Sequence, residues 1–283
     1  MTTLNPLQAN HEVRLGQDVM LGHDLKVDDF VRIGDRSSVG NQVSIGFNVR
    51  IGRDVVIEDS VVIGDNVTVW DETRIGSGTQ IENNVEIGYA RMTRRKQYYQ
   101  DYPTVIGNDC LIRTGAIVYR SCALGNQIWI GNYTILRENT VIGDGTTIGS
   151  HVMCEGYTDI GKQARIYSLC ELGGNMVIED LVFIGPGVVT ANNPKPLHNS
   201  VVPTDHRWKD DSHRVADSGP VIRFGAKIGI GARLLPEIEI GRETLVAAGA
   251  VVTKSLPPFV IAIGVPAKIV GEIPLEDRYT LNP

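Results

Sequence analysis

The chain is poor in the residues that fill an ordinary globular core. Aromatic residues make up 6% of its 283 positions, with three tryptophans and five phenylalanines. A core must then be built from aliphatic side chains alone. No apolar run approaches the ~18 residues that a membrane-spanning helix needs, which excludes a helical span. Residues 1–10 carry no basic segment followed by an apolar one, so a signal peptide is not expected. Basic charge is also in deficit: 27 Lys and Arg face 33 Asp and Glu, a net charge of −6. That balance argues against a nucleic-acid surface. There are four cysteines and no Cys-x-x-Cys, which argues against a structural zinc site. Free thiols suit a reducing, cytoplasmic setting.

What the chain does have is a period. An aliphatic residue recurs every sixth position from Leu15 through Val27, Ile33, Val39 and Ile45 to Ile87. The frame resumes from Ile106 to Ile184, with Cys154 standing in once, and again from Ile222 to Val252. Neither an α-helix nor a flat strand sustains a period of six, but a parallel β-helix of hexapeptides does. The three blocks hold 33 hexads. With three hexads per coil this predicts about 11 coils stacked at roughly 4.8 Å.

Four residues after each frame position stands a small or β-branched residue, such as Ser37, Val43, Val49 or Thr79. It is read as a second inward side chain. Cys110, Cys122 and Cys170 hold this position, so all four thiols are expected inside. Glycine often follows the frame residue and is read as relieving a corner with positive φ. Asn and Asp at the corners (Asp54 and Asn66, for example) fit the same reading. A repeat array grows along one axis, so residues 1–271 are read as one domain, with 272–283 as a tail. The stretches off the frame at the two ends, 1–14 and 257–283, are assigned to covering the open edges.

Repeat proteins carry function where the period breaks. The first break places a loop at 89–104, with Arg94, Arg95 and Lys96 beside Tyr98 in an acidic chain. Cations suit phosphates and tyrosine suits a flat ring; a solvated basic excursion is the competing reading. The second break places a loop at 191–221, with Asn192, Asn193, His198 and His206. Structureless loops of this length are usually functional; packing on a neighbouring subunit is the alternative.

The C-terminal run Ile228-Gly229-Ile230-Gly231-Ala232, then Val246-Ala247-Ala248-Gly249-Ala250 and Ile263-Gly264-Val265-Pro266-Ala267-Lys268, together with the hexads, resembles the hexapeptide-repeat acyltransferases. The segment from Glu179 to Pro194 looks like their sugar-nucleotide amine N-acetyltransferases, although Asn192-Asn193 stands where those carry Asn-Asp. The resemblance implies a left-handed parallel β-helix, a homotrimer, and an acetyl-CoA or other acyl-CoA donor lying between subunits. It assigns the donor to Ala232, Ala247, Ala248, Gly249, Lys254, Pro266 and Lys268. The acceptor falls to Asn192, Asn193 and the basic loop at Arg94, Arg95, Lys96 and Tyr98. His151, His198 and His206 are the candidate bases. The expected acceptor is the amino group of a nucleotide sugar. The alternatives are another small acceptor, such as a hydroxyl or an amino acid, or a scaffold without catalysis. A zinc carbonic anhydrase needs three histidines from neighbouring coils, and the coils hold only His23 and His151. No metal, membrane or nucleic-acid partner is expected.

Overall fold

The structure, a computed structural model, describes residues 12–89, 102–194 and 218–279. These fall into two compact units, divided between Asn139 and Thr140. Both are all-β. Every frame residue from the sequence lies in a short strand, usually of two residues, as in Arg32–Ile33 and Val141–Ile142.

In the first unit, strands 18 residues apart pair in parallel and in register. Ile33 lies beside Ile51, and Val39 beside Ile57. Three sheets result, one per side of the coil. The frame residues from Val27 to Leu136 are buried, and so are their small companions: Val43, Val55, Val61 and Val67 are all 0% exposed. Each buried isoleucine contributes roughly 1.5–3 kcal/mol of transfer free energy. The backbone is paired coil to coil, with Arg32 N donating to Val49 O at 2.9 Å and Gly34 N to Ile51 O at 2.9 Å.

The second unit repeats the plan. Ile142, Ile160, Ile178, Ile222 and Ile240 form one column. Thr190 continues the frame one step past Ile184, in the strand Val189–Thr190. Its side chain is buried because Oγ1 accepts from Gly173 N at 2.8 Å and donates to Glu171 O at 3.4 Å. A polar residue in the frame hid this strand from the sequence reading. The C-terminal stretch from 257 is not a loose cover. Val260–Ile263 adds a parallel strand beside Leu245–Val246, and Lys268–Glu272 returns antiparallel on its far side. Together the units hold about 12 coils of β-solenoid, in agreement with the left-handed hexapeptide β-helix.

The corners obey a different rule from the expected one. Positive φ falls three residues after the frame residue, at Arg36, Gln42, Asn48, Asp54 and their equivalents. The glycines directly after the frame residue have another reason. A Cβ on Gly34 would stand 2.5 Å from Gly52 O of the next coil. These glycines are selected by close approach, not by handedness. Asp and Asn two residues after the frame residue do a third job. Their Oδ1 accepts a backbone N–H one coil back: Asp35 from Gln17 at 2.8 Å, Asp59 from Asn41 at 2.7 Å, Asp71 from Arg53 at 2.8 Å. They satisfy donors that the strand ladder leaves open at the corner.

The four cysteines are buried and free. Burial pushes the thiols of Cys110, Cys154 and Cys170 up from their ordinary value.

Candidate functional site

The second unit carries a groove of about 840 Å³. Its floor follows from the strand rule. The residue before each frame residue points outward, and here Arg165, Phe183, Lys227 and Leu245 stack in register along one sheet. One wall is the corner carrying Gly145, Gln163 and Leu181. The other is the corner carrying Gly229, Ala247 and Ala248, where the small side chains leave the backbone accessible. Just beyond, Gly187, Gly231 and Gly249 occupy successive left-handed positions, and a Cβ on any of them would meet nothing within 4 Å. This corner presents an open strip of backbone.

The tail closes one end of the groove. Tyr279 N donates to the buried Glu243 Oε2 at 2.6 Å. Its ring meets Phe224 edge to face at 6.0 Å, and Lys227 Nζ lies 5.9 Å from its centroid. The Arg278 guanidinium stacks over Phe259 at 4.3 Å, which anchors the turn before Tyr279.

The expected donor residues are only partly brought together. Ala247 and Ala248 line the groove. Gly249 lies on the open strip. Ala232 is 0% exposed, as the small inward residue of its hexad, so its side chain faces the core. Lys254 and Lys268 are exposed and do not line the groove. Lys254 follows the strand Val251–Val252, while Lys268 opens the antiparallel return strand. Pro266 follows a cis peptide in the turn between the last two strands. The cationic groups at the groove are instead Arg165 and Lys227. Each directly precedes a frame residue, so stepping the outward position along the frame would have found them. Nothing in the sequence shows Tyr279 folding back.

A second polar corner lies in the same unit. Asn192 Nδ2 donates to Glu155 Oε2 at 3.2 Å, and Gly174 N reaches the same oxygen at 3.4 Å. Asn192 lies over Gly173, where a Cβ would stand 3.1 Å from its own. Glu155 takes the place usually held by glycine, and this pairing gives it a function in ordering Asn192. Asn193 is exposed. His151 is exposed at a left-handed corner position after the strand Thr147–Ile148. Asn192 follows a strand of a different sheet, so the two mark different corners of the coil. Arg94, Arg95, Lys96, Tyr98, His198 and His206 lie outside the described residues. Among the described residues no group of three His, Cys, Asp or Glu could hold a metal ion, and no helix is long and apolar enough to cross a membrane.

Residues 42–77 match the family model described as bacterial transferase hexapeptide (six repeats). That segment is similar to the hexapeptide repeats of bacterial transferases. Among curated relatives, a serine acetyltransferase of Buchnera aphidicola is 33% identical over 110 residues, or 38% of this chain and 40% of that protein. A serine acetyltransferase of Escherichia coli is 29% identical over 133 residues, 46% of each chain. The chain thus spans less than half the length of these relatives. Among solved structures, a UDP-N-acetylglucosamine acyltransferase from Campylobacter jejuni covers 92% of this chain and 73% of its own, at 17% identity and a TM-score of 0.45. The likeness to the two serine acetyltransferases covers part of each protein, not the whole.

Proposed function

We propose that the chain is an acetyl-CoA-dependent acyltransferase acting on the hydroxyl of a small acceptor. The observation that carries this is the groove between Arg165, Lys227 and the Ala247-Ala248 corner. A thin chain with amide groups needs exposed backbone and little side-chain bulk, and the glycine strip offers both. Phosphate groups need cations, and Arg165 and Lys227 supply them. Bound there, acyl-CoA would present a thioester to the acceptor. The relatives named for serine acetylation support a hydroxyl over the amino sugar that the sequence suggested. A hydroxyl must lose its proton on attack. His151, with His198 and His206, remains the candidate base; Asn192, held by Glu155, is the candidate acceptor contact. The homotrimer, the cytoplasmic location and an acceptor contact by Arg94, Arg95, Lys96 and Tyr98 are parts of the same proposal.

The test is release of CoA thiol from acetyl-CoA with a panel of hydroxyl acceptors, serine and sugars among them, against a matched panel of amines. Turnover with a hydroxyl compound is expected. Arg165→Gln with Lys227→Gln should raise the acetyl-CoA KM about tenfold or more, since a charge-assisted contact contributes roughly 1.5–3 kcal/mol. Turnover with nucleotide amino sugars alone would return the acceptor to an amine. No binding of acetyl-CoA would remove the activity.

A further inference from the structure

The first unit carries a feature that acyl transfer does not use. Arg14, Arg32 and Arg50 lie 18 residues apart at the same outward position of one sheet. They pair directly in register, Arg14 with Arg32 and Arg32 with Arg50. All three are exposed. Neighbouring parallel strands run roughly 4.8 Å apart, so the column stacks like charges at close range, an arrangement that opposes folding. Arg36, Arg53, Arg113, Arg120 and Arg137 of this unit each have a carboxylate partner, and the exposed Arg74 stands alone, without a like charge beside it. Arg36 pairs with Asp54 at 2.6 Å and Arg53 with Asp71 at 2.8 Å. Among the described residues, no side chain of the Arg14 column makes an ion pair or hydrogen bond.

The column also borders a cavity of about 150 Å³. Phe30 and Asn48, from the adjoining corner, form part of its lining. Glu12 borders it too, without an ion pair to any of the three arginines. Phe30 is 45% exposed, and its ring meets the equally exposed Phe47 edge to face at 5.1 Å. An uncompensated column of guanidinium forks, a small cavity and an aromatic ring at its edge have matching requirements. The forks want oxyanions, which they bind in bidentate fashion. The repeat wants several oxyanions in a line. The ring wants a flat or apolar attachment.

We propose that this face of the first unit binds an oligophosphate group, with the arginine column holding successive phosphates. The group arises either as free oligophosphate or as the phosphate chain of a nucleotide, whose base would lie against Phe30.

Calorimetric titration of the full chain tests this with orthophosphate, pyrophosphate, tripolyphosphate and adenosine triphosphate. Affinity should rise with the number of phosphates and fall with added salt. Arg32→Gln, at the centre of the column, should weaken tripolyphosphate at least about tenfold. Arg74→Gln, at an exposed outward position of another sheet of the same unit, should leave it unchanged. If adenosine triphosphate binds more tightly than tripolyphosphate, and Phe30→Asn removes only that increment, the nucleotide is the source. Equal affinity assigns the site to the phosphate chain alone. The asparagine suits the left-handed backbone at position 30, where φ is 62°. The melting temperature of ligand-free Arg32→Gln should equal or exceed that of the parent, because a like-charge contact is lost. A lower value would mean that Arg32 has a structural partner, and would overturn the proposal. So would tripolyphosphate binding that Arg32→Gln leaves intact, or binding of an acidic peptide with none of tripolyphosphate.

Discussion

Gly229 and Gly231 are two residues apart, yet they should respond unequally to the same replacement by asparagine. A Cβ on Gly229 would stand 2.4 Å from Ala248 N and 2.7 Å from Ala247 C, both backbone atoms of the next coil. Neither can move without disturbing the bond from Gly229 N to Val246 O at 2.8 Å. Side chains at equivalent positions, such as Asp28 and Glu58, show that a corner built around a side chain can hold one. The expected cost of Gly229→Asn is therefore that of overpacking, about 1–3 kcal/mol, rather than loss of the fold. At Gly231 φ is +66° and a Cβ would meet nothing within 4 Å. Asparagine tolerates this conformation and already holds it at Asn48, Asn66 and Asn175, so Gly231→Asn should cost well under about 1 kcal/mol. A kilocalorie moves the melting temperature of a chain this size by roughly 2–4 °C. Scanning calorimetry should show a fall of roughly 2–12 °C for the first variant and little for the second. Equal losses, or a larger loss at Gly231, would refute close approach as the reason for the first class of glycine.

The frame itself is tested by Ile142→Asp, which places a charge at a site 1% exposed and should abolish soluble expression. Asp144→Ala loses an exposed pair with Lys162 at 3.3 Å and should cost within about 1 kcal/mol in a denaturant titration. The hydrogen bond from Arg223 holds the Glu239 carboxyl below its ordinary value of 4.5. The stability from this pair is complete above that value and is lost as pH falls through the lower folded-state value. Melting temperatures should therefore drop in acid, and Arg223→Gln should make that drop shallower. The four cysteines should resist a thiol reagent in the native state and all react in denaturant. Residues 1–271 as a single domain is also a proposal: one calorimetric transition supports it, and two would put the boundary near Asn139 and Thr140.

The periodic part of the structure was open to reading because one residue per hexad does one task. Ile33, Ile51 and Ile142 are buried where the frame put them. Thr190 escaped because a hydroxyl bonded to backbone fills a position that the frame reserves for carbon. The glycines were located correctly and explained wrongly, since crowding by the next coil is a contact across 18 residues that local preference does not contain. The candidate site was less legible for the same reason. Arg165 and Lys227, on either side of Phe183, come to one groove only when coils are stacked across an insertion, and Glu155 meets Asn192 across 37 residues. Ala232 belongs to a family-like run, but its place in the hexad turns it inward. Tyr279 reaches the groove through a reversal of the tail that no repeat announces.

The eighteen-residue ladder also governs how such a gene can change length. Losing or gaining one whole coil leaves each remaining residue facing a partner of its own kind. Extra chain at a corner is absorbed: Ile75 still pairs with Ile106 and Ile178 with Ile222 although more than one coil's length of sequence separates them. One residue added inside a coil is different, because it turns the following strand inside out. Lineages of this architecture are therefore free to vary by full turns or by bulging corners, and nearly forbidden to vary by anything in between.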